Sequence, residues 1–140
     1  MSGRYFLDTN ILIYSFDSGQ AAKARRAQKL IGDALTTNSG VISYQVVQEF
    51  LSFALRRAAR TMTASDAAQY LERILRPLLS IHSSPSLYAE GLYLYERYQL
   101  SWYDSLIVAA AIQGNCDLLY SEDLQDGQRF GKLLVRNPFV

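Results

Sequence analysis

Residues 5–14 read Tyr5-Phe6-Leu7-Asp8-Thr9-Asn10-Ile11-Leu12-Ile13-Tyr14, an apolar run interrupted by polar residues before a second apolar run begins. An aromatic and apolar run that ends abruptly in an acid predicts a short buried strand, Tyr5–Leu7, with Asp8 at its C-terminal tip. Thr9 and Asn10 then lead into a helix start over residues 11–14. A buried strand feeding a helix is the repeating unit of α/β proteins.

The remainder of the chain continues that alternation. Ala24, Ala27, Leu30, Ile31 and Ala34 recur at helical spacing over residues 21–35, with Lys23, Arg25, Arg26 and Lys29 on the other side. Residues 41–43 form a strand candidate. Val46, Val47, Phe50, Leu51, Ala54 and Leu55 trace the apolar face of a second helix, and Glu49 lies beside that face. Thr63 and Asp66 have the spacing of a capping box that opens a helix to about residue 79, shortened by Pro77. Ser84 and Pro85 open a tyrosine-rich helix over residues 87–98. Ser101 caps the next, Trp102–Gln113, which ends at Gly114 and Asn115, both suited to a left-handed cap. Residues 118–121 and Leu133–Arg136 are the last strand candidates.

This order predicts one domain over residues 1–140, a three-layer α/β/α fold with a mainly parallel central sheet. In such sheets ligands bind beyond the carboxyl ends of the strands. Asp8 and Asp123 follow strands directly, and Glu49 and Asp104 lie in early turns of helices that begin on the same side. Four acids therefore converge from distant parts of the chain.

Composition excludes several classes. The chain has 140 residues, 49% hydrophobic and 19% charged, ample for a core and unlike a disordered segment. Its formal net charge of +1 leaves any affinity for a polyanion to local patches: Lys23, Arg25, Arg26 and Lys29 form one, Arg56, Arg57 and Arg60 another. Either patch suits RNA phosphates or an acidic partner segment, and either is equally readable as a solvated helix face. A single cysteine, Cys116, permits neither a disulfide framework nor a cysteine-rich zinc site, and it reads as a small packed apolar group. His82 is the only histidine and falls in an exposed connection. No signal peptide or membrane span is visible, so a cytoplasmic protein without membrane partners is expected.

Two carboxylates ~5 Å apart at an effective dielectric of ~20 repel by about 3 kcal/mol, so a cluster of them calls for a cation. Mg²⁺ and Mn²⁺ take oxygen ligands and keep several waters, and require neither cysteine nor histidine. A carboxylate-held metal activates water and stabilises the leaving oxygen of a phosphodiester. With one histidine and no nucleophile–base pair, histidine-type or covalent hydrolysis is poorly supported.

Phe6, Leu7, Asp8, Thr9, Asn10, Ile11 and Leu12 resemble the opening motif of PIN-domain nucleases. Gln48, Glu49 and Phe50 resemble that family's second acidic motif, Tyr103 to Ala109 its third, and Ser121, Glu122 and Asp123 its fourth. The match spans nearly the whole chain, and its compact form is similar to VapC-type toxins of toxin–antitoxin pairs. The resemblance implies Mg²⁺- or Mn²⁺-dependent endoribonuclease activity, a homodimer, and inhibition by a small cognate antitoxin. It implies Asp8, Glu49, Asp104 and Asp123 as catalytic and metal-binding acids, with Thr9 and Ser121 holding carboxylates or metal waters and Asn10 supporting. Glu122, Asp123 and Asp126 all lie in the fourth motif. Asp123 is the best match there, with Asp126 assisting.

Bland readings exist for each residue alone. Asp104 and Ser101 have capping-box spacing, Asp8 suits a turn, and Glu49 suits a solvated flank. Asp123 and Asp126 suit a short helix cap. Among other functions, a haloacid-dehalogenase-like phosphatase needs a second Asp where this chain has Asn10, and a receiver domain needs an acidic pair that is missing. The remaining alternative is a non-catalytic PIN-like module that binds RNA or protein.

Overall fold

The computed structural model describes residues 2–140 and shows a sheet in the order β3-β2-β1-β4-β6-β5, flanked by helices as a three-layer α/β/α fold. Its first elements are β1 (Tyr5–Leu7), α1 (Thr9–Tyr14), α2 (Ala21–Thr37), β2 (Gly40–Ser43) and α3 (Tyr44–Arg56). The middle of the chain adds α4 (Ala64–Tyr70), a π-helical turn at Leu71–Leu75, the single turn α5 (Arg76–Leu78) and β3 (Leu79–Ile81). Then come α6 (Pro85–Tyr98), α7 (Trp102–Gln113), β4 (Leu118–Tyr120), β5 (Arg129–Phe130) and β6 (Leu133–Arg136). Among the described residues no helix is long and apolar enough to cross a membrane.

β1 lies inside the sheet because it is paired on both sides, parallel to β2 and to β4. Phe6 and Leu7 are fully buried there, which is why so short a strand is built from large apolar residues. The strand order reverses at β1: β2 and β3 run outward on one side, β4, β6 and β5 on the other. A crevice opens at the carboxyl ends of strands at such a reversal.

The helices form where their spacing places them. α2 buries Ala24, Ala27, Leu30, Ile31 and Ala34, the face read from the sequence. It closes tightly on β2, since a Cβ at Gly40 would lie 2.3 Å from the Ala34 Cβ. α7 differs from a one-faced helix: Ser105 to Ala111 are all buried, because α7 packs on both α6 and β4. α7 ends with Gly114 at φ −74°, and Asn115 alone takes the left-handed conformation, at φ 57°.

Two strands depart from the sequence reading. The helix expected to reach residue 79 ends at Leu78, and Leu79–Ile81 becomes β3, parallel to β2. Pro77 has no N–H to continue the helical ladder, and extending the chain lets Ile81 enter the core. β5 is an added antiparallel edge, joined to β6 through Gly131 at φ 63°. A glycine at the first centre of a two-residue hairpin loop supplies the positive φ that a twisted ribbon demands. The capping box at Thr63 and Asp66 forms with both arms. His82 is exposed and Cys116 is buried, as expected.

Candidate active site

Asp8 leaves the tip of β1 and is the N-cap of α1, its backbone N–H donating to the carbonyl of Tyr120 at 3.0 Å. The side chain is only 3% exposed. Oδ1 accepts from the Thr9 N–H at 2.7 Å and Oδ2 from the Ser121 hydroxyl at 2.7 Å. Burial is the main reason its pKa rises from 3.8 to about 7; the Ser121 and Thr9 hydrogen bonds oppose the rise, and the charges of Asp123 and Glu49 add to it.

Thr9 ties two acids together. While its N–H holds Asp8, its hydroxyl donates to Glu49 Oε1 at 2.6 Å, reaching from α1 to α3. Ser121, fully buried beyond β4, donates to Asp8 and accepts from the Asp123 N–H at 3.1 Å. Asp104 sits in the first turn of α7, where Ser101 Oγ accepts its N–H at 3.1 Å. The second arm of a capping box is not made there, so its carboxylate is not committed to the cap. Burial raises the Asp104 pKa; the Ser101 side chain opposes this, and Asp123 and Glu49 add to it. Asp123 and Glu49 thus lie within electrostatic reach of both Asp8 and Asp104.

The other acids of the fourth motif are engaged elsewhere. Glu122 pairs with Lys23 Nζ at 2.7 Å and accepts from the Tyr14 hydroxyl at 2.5 Å, and these bonds lower its pKa. Asp126 accepts from the Asn137 N–H at 2.8 Å and faces Arg136, so the structure does not bring it to the cluster as an assisting acid. The first basic patch is also partly neutralised: Lys23 by Glu122, Lys29 by Asp33, with Arg26 donating to the Pro138 carbonyl. Arg25 is exposed, as are Arg56, Arg57 and Arg60 in the second patch, where Arg57 lines the site.

A cavity of about 620 Å³ opens over these groups, lined by Thr9, Asn10, Gln45, Glu49, Arg57 and Asp123, among others. Gln45 was not singled out by sequence reasoning. It is buried at 5% exposure, and its Nε2 donates to Glu49 Oε2 at 3.4 Å and to the Tyr103 carbonyl at 3.3 Å, linking α3 to α7. Its position four residues before Glu49 on one helix was the available signal.

The group implied by four acids is a divalent cation, and the donor set can be tested against it. None of Asp8, Glu49, Asp104 or Asp123 forms an ion pair among the described residues, so no basic side chain there neutralises them. Both polar atoms of the Asn10 side chain are buried without a protein partner beside them. Among the described residues no three acidic, cysteine or histidine groups stand close enough to enclose an ion. A closed all-protein cage is therefore a poor fit. A hard divalent cation that keeps most of its waters and needs few protein ligands would fit the all-oxygen chemistry of these acids.

Comparison with known proteins agrees with this fold. The chain is similar to a toxin–antitoxin complex structure from Klebsiella pneumoniae, with TM-score 0.66 and 19% identity over 96% of this chain and 97% of that one. It resembles VapBC2 of Rickettsia felis, solved bound to a DNA fragment from their promoter, with TM-score 0.63 and 20% identity over 94% and 96%. It also resembles VapC20 of Mycobacterium tuberculosis, described as a sarcin–ricin loop cleaving toxin, with TM-score 0.59 and 18% identity over 84% and 88%. No curated protein matches. Such identities establish a shared fold, and the family is fixed by the sequence itself: residues 5–129 match the model of the PIN domain, so the chain belongs to the PIN domain family.

Proposed function

We propose that this protein is a divalent-metal-dependent endoribonuclease, the toxin of a type II toxin–antitoxin pair, acting in the cytoplasm as a single-domain chain. The observation that carries the reading is Asp8. A carboxyl buried at the strand-order reversal, raised to about 7 and held by donors on both oxygens, is costly to keep unless a cation uses it. Membership of the PIN family and the fold shared with a solved toxin and with chains of solved toxin–antitoxin complexes support it.

Mg²⁺ or Mn²⁺, when bound, supplies the positive charge that receives a phosphodiester and makes water a competent nucleophile. In this reading Asp8, Glu49, Asp104 and Asp123 hold the ion directly or through its waters. Ser121 and Thr9 fix the carboxylates of Asp8 and Glu49 by hydrogen bonds, so their oxygens need no reorganisation when substrate arrives. Asn10 offers a buried amide to a water of the site. Asp8 gives up its proton on loading, because a cation reverses the effect of burial.

The partners follow from the same family relation. A cognate antitoxin is proposed to occupy the apolar groove beside the site, lined by Phe16, Phe53, Ala58 and Arg60. A homodimer is proposed through α6, where Tyr88, Leu92 and Tyr95 are exposed at helical spacing. A second reading, a PIN-like module that binds without cutting, draws on the absence of three close ion-ligating groups among the described residues.

The deciding experiment incubates purified protein with total RNA and Mg²⁺ or Mn²⁺, beside an EDTA control and the Asp8→Asn variant, and maps new 5′ ends. Discrete metal-dependent cuts that vanish in the variant are expected. Intact RNA with folded, antitoxin-free protein would transfer the assignment to the binding module.

A further inference from the structure

We propose that the cavity beside the acids holds one nucleotide of single-stranded RNA next to the scissile phosphate, its base stacked on the Tyr103 ring and a neighbouring phosphate on Arg57. The proposal rests on the nuclease reading and adds the groups that grip the substrate. At about 620 Å³ the cavity has room for roughly twenty waters at ~30 Å³ each, far more than the hydration shell of one ion. That volume is in the range of small-molecule sites and suits a nucleotide.

Tyr103 directly precedes Asp104, lines the cavity and is 65% exposed, so its ring is presented to whatever enters. The backbone beneath it is anchored. Buried Gln45 donates to the Tyr103 carbonyl and to Glu49, and thereby sets the distance between this aromatic shelf and an acid of the cluster. An aromatic ring on an anchored backbone and open to solvent stacks any nucleobase and is tolerant of sequence. Arg57, at the C-terminal cap of α3, is the one cation among the residues lining the cavity and forms no ion pair among the described residues. A ring and an isolated cation beside carboxylates match the alternation of base and phosphate in a single strand. Duplex RNA keeps its base faces stacked inside, so the strand must be unpaired at this point. A helical peptide needs a continuous apolar face instead, which the neighbouring groove of Phe16, Phe53 and Ala58 provides.

The test measures fluorescence anisotropy of a fluorescein-labelled single-stranded RNA of about eight nucleotides, in an Asp8→Asn background with Mg²⁺ present. Tyr103→Ala is expected to weaken binding about 5- to 100-fold, and Tyr103→Phe to keep it within about twofold, because the π-face is what matters. Arg57→Ala should weaken binding and reduce the slope of log Kd against log salt by about 0.7. With Asp8 restored, Tyr103→Ala should raise KM more than it lowers kcat. Circular dichroism, Mn²⁺ affinity and size-exclusion elution of the Tyr103 and Arg57 variants made with Asp8 intact complete the set, all expected to match the parent. Unchanged RNA affinity in Tyr103→Ala overturns the proposal. So does a loss that coincides with a change in oligomeric state, which would make the ring a contact between copies. Parent protein that binds no Mn²⁺ and cuts no RNA refutes the nuclease reading and this one with it, whereas cleavage with an unaltered KM in Tyr103→Ala refutes this one alone.

Discussion

Replacing Asp8 by Asn should stabilise the metal-free protein while abolishing cleavage. Asn keeps the shape and can accept from the Thr9 N–H; its amide can donate to the one Ser121 lone pair that the Asp123 N–H leaves free, but the Ser121 O–H then loses Asp8 as its acceptor, which offsets part of the gain. Asn and Asp are comparable as helix N-caps, so the cap itself is conserved. What disappears is the buried charge. A carboxyl whose pKa is about 7 folded and 3.8 in its ordinary state binds its proton more tightly in the folded protein. Between those values the folded chain holds a proton that the unfolded chain has released, so stability falls as pH rises through that window and levels off above it. Converted at ~1.4 kcal/mol per factor of ten, the difference amounts to about 4 kcal/mol, an upper figure that relaxation around the charge will reduce to about 2–4. For a chain near this size that corresponds to a melting temperature higher by roughly 5–15 °C. Thermal and urea unfolding of both proteins in EDTA from pH 4 to pH 8.5 measures it: the curves should nearly meet at pH 4, draw apart as pH rises through the window, and reach their full separation by pH 8. Added Mn²⁺ should narrow the gap, since an ion that binds only the folded parent stabilises it by mass action. An Asn variant equal to or weaker than the parent at pH 8 in EDTA would refute the argument, and Asp8 would be a structural cap.

Thr9→Val removes the 2.6 Å hydroxyl bond to Glu49 but leaves the N–H that holds Asp8; kcat should drop about 10- to 100-fold, with weaker Mn²⁺ binding and an unchanged far-ultraviolet spectrum. Ser121→Ala takes one donor from Asp8 and an acceptor from the Asp123 N–H, and should cost about 1–3 kcal/mol in urea unfolding at pH 8, where Asp8 is charged. Glu122→Gln should leave RNA cleavage within a few-fold of the parent, because Glu122 is bound to Lys23 and Tyr14, whereas Asp123→Asn should abolish it; equal loss in both would place Glu122 in the site. Gly40→Ala should lower stability by about 2 kcal/mol or more in the same unfolding assay, since its Cβ would meet the Ala34 Cβ at 2.3 Å.

The site was legible in proportion to how local its signals are. Asp8 was readable because an acid directly after a buried run of β1 has few alternatives, and Ser101 because a cap is a short-range hydrogen bond. Glu49 was recognised through the family pattern; its helix position alone suits a solvated flank. Gln45 went unnoticed because its importance lies in a bond to Tyr103 on another helix, 58 residues away. The fourth motif was ambiguous for the same reason: Glu122, Asp123 and Asp126 are near neighbours in sequence, and only contacts with Lys23 on α2 and Asn137 beyond β6 remove the first and last from the cluster.

The fold divides along the same line. Hydrophobic spacing determined α2 and α3, and the residues that open and close a helix determined α6 and α7, because periods and caps are properties of near neighbours in the chain; the β–α alternation determined the three-layer class. β3 and the hairpin edge β5 are too short to carry a period, although Phe130-Gly131-Lys132-Leu133 did contain a hairpin glycine. Strand order, and with it the reversal at β1, is set by which faces find burial partners far along the chain. That choice puts Glu49 and Asp123 on one cavity and within electrostatic reach of Asp8 and Asp104: sequence supplied the acids, and long-range packing alone brought those charges together.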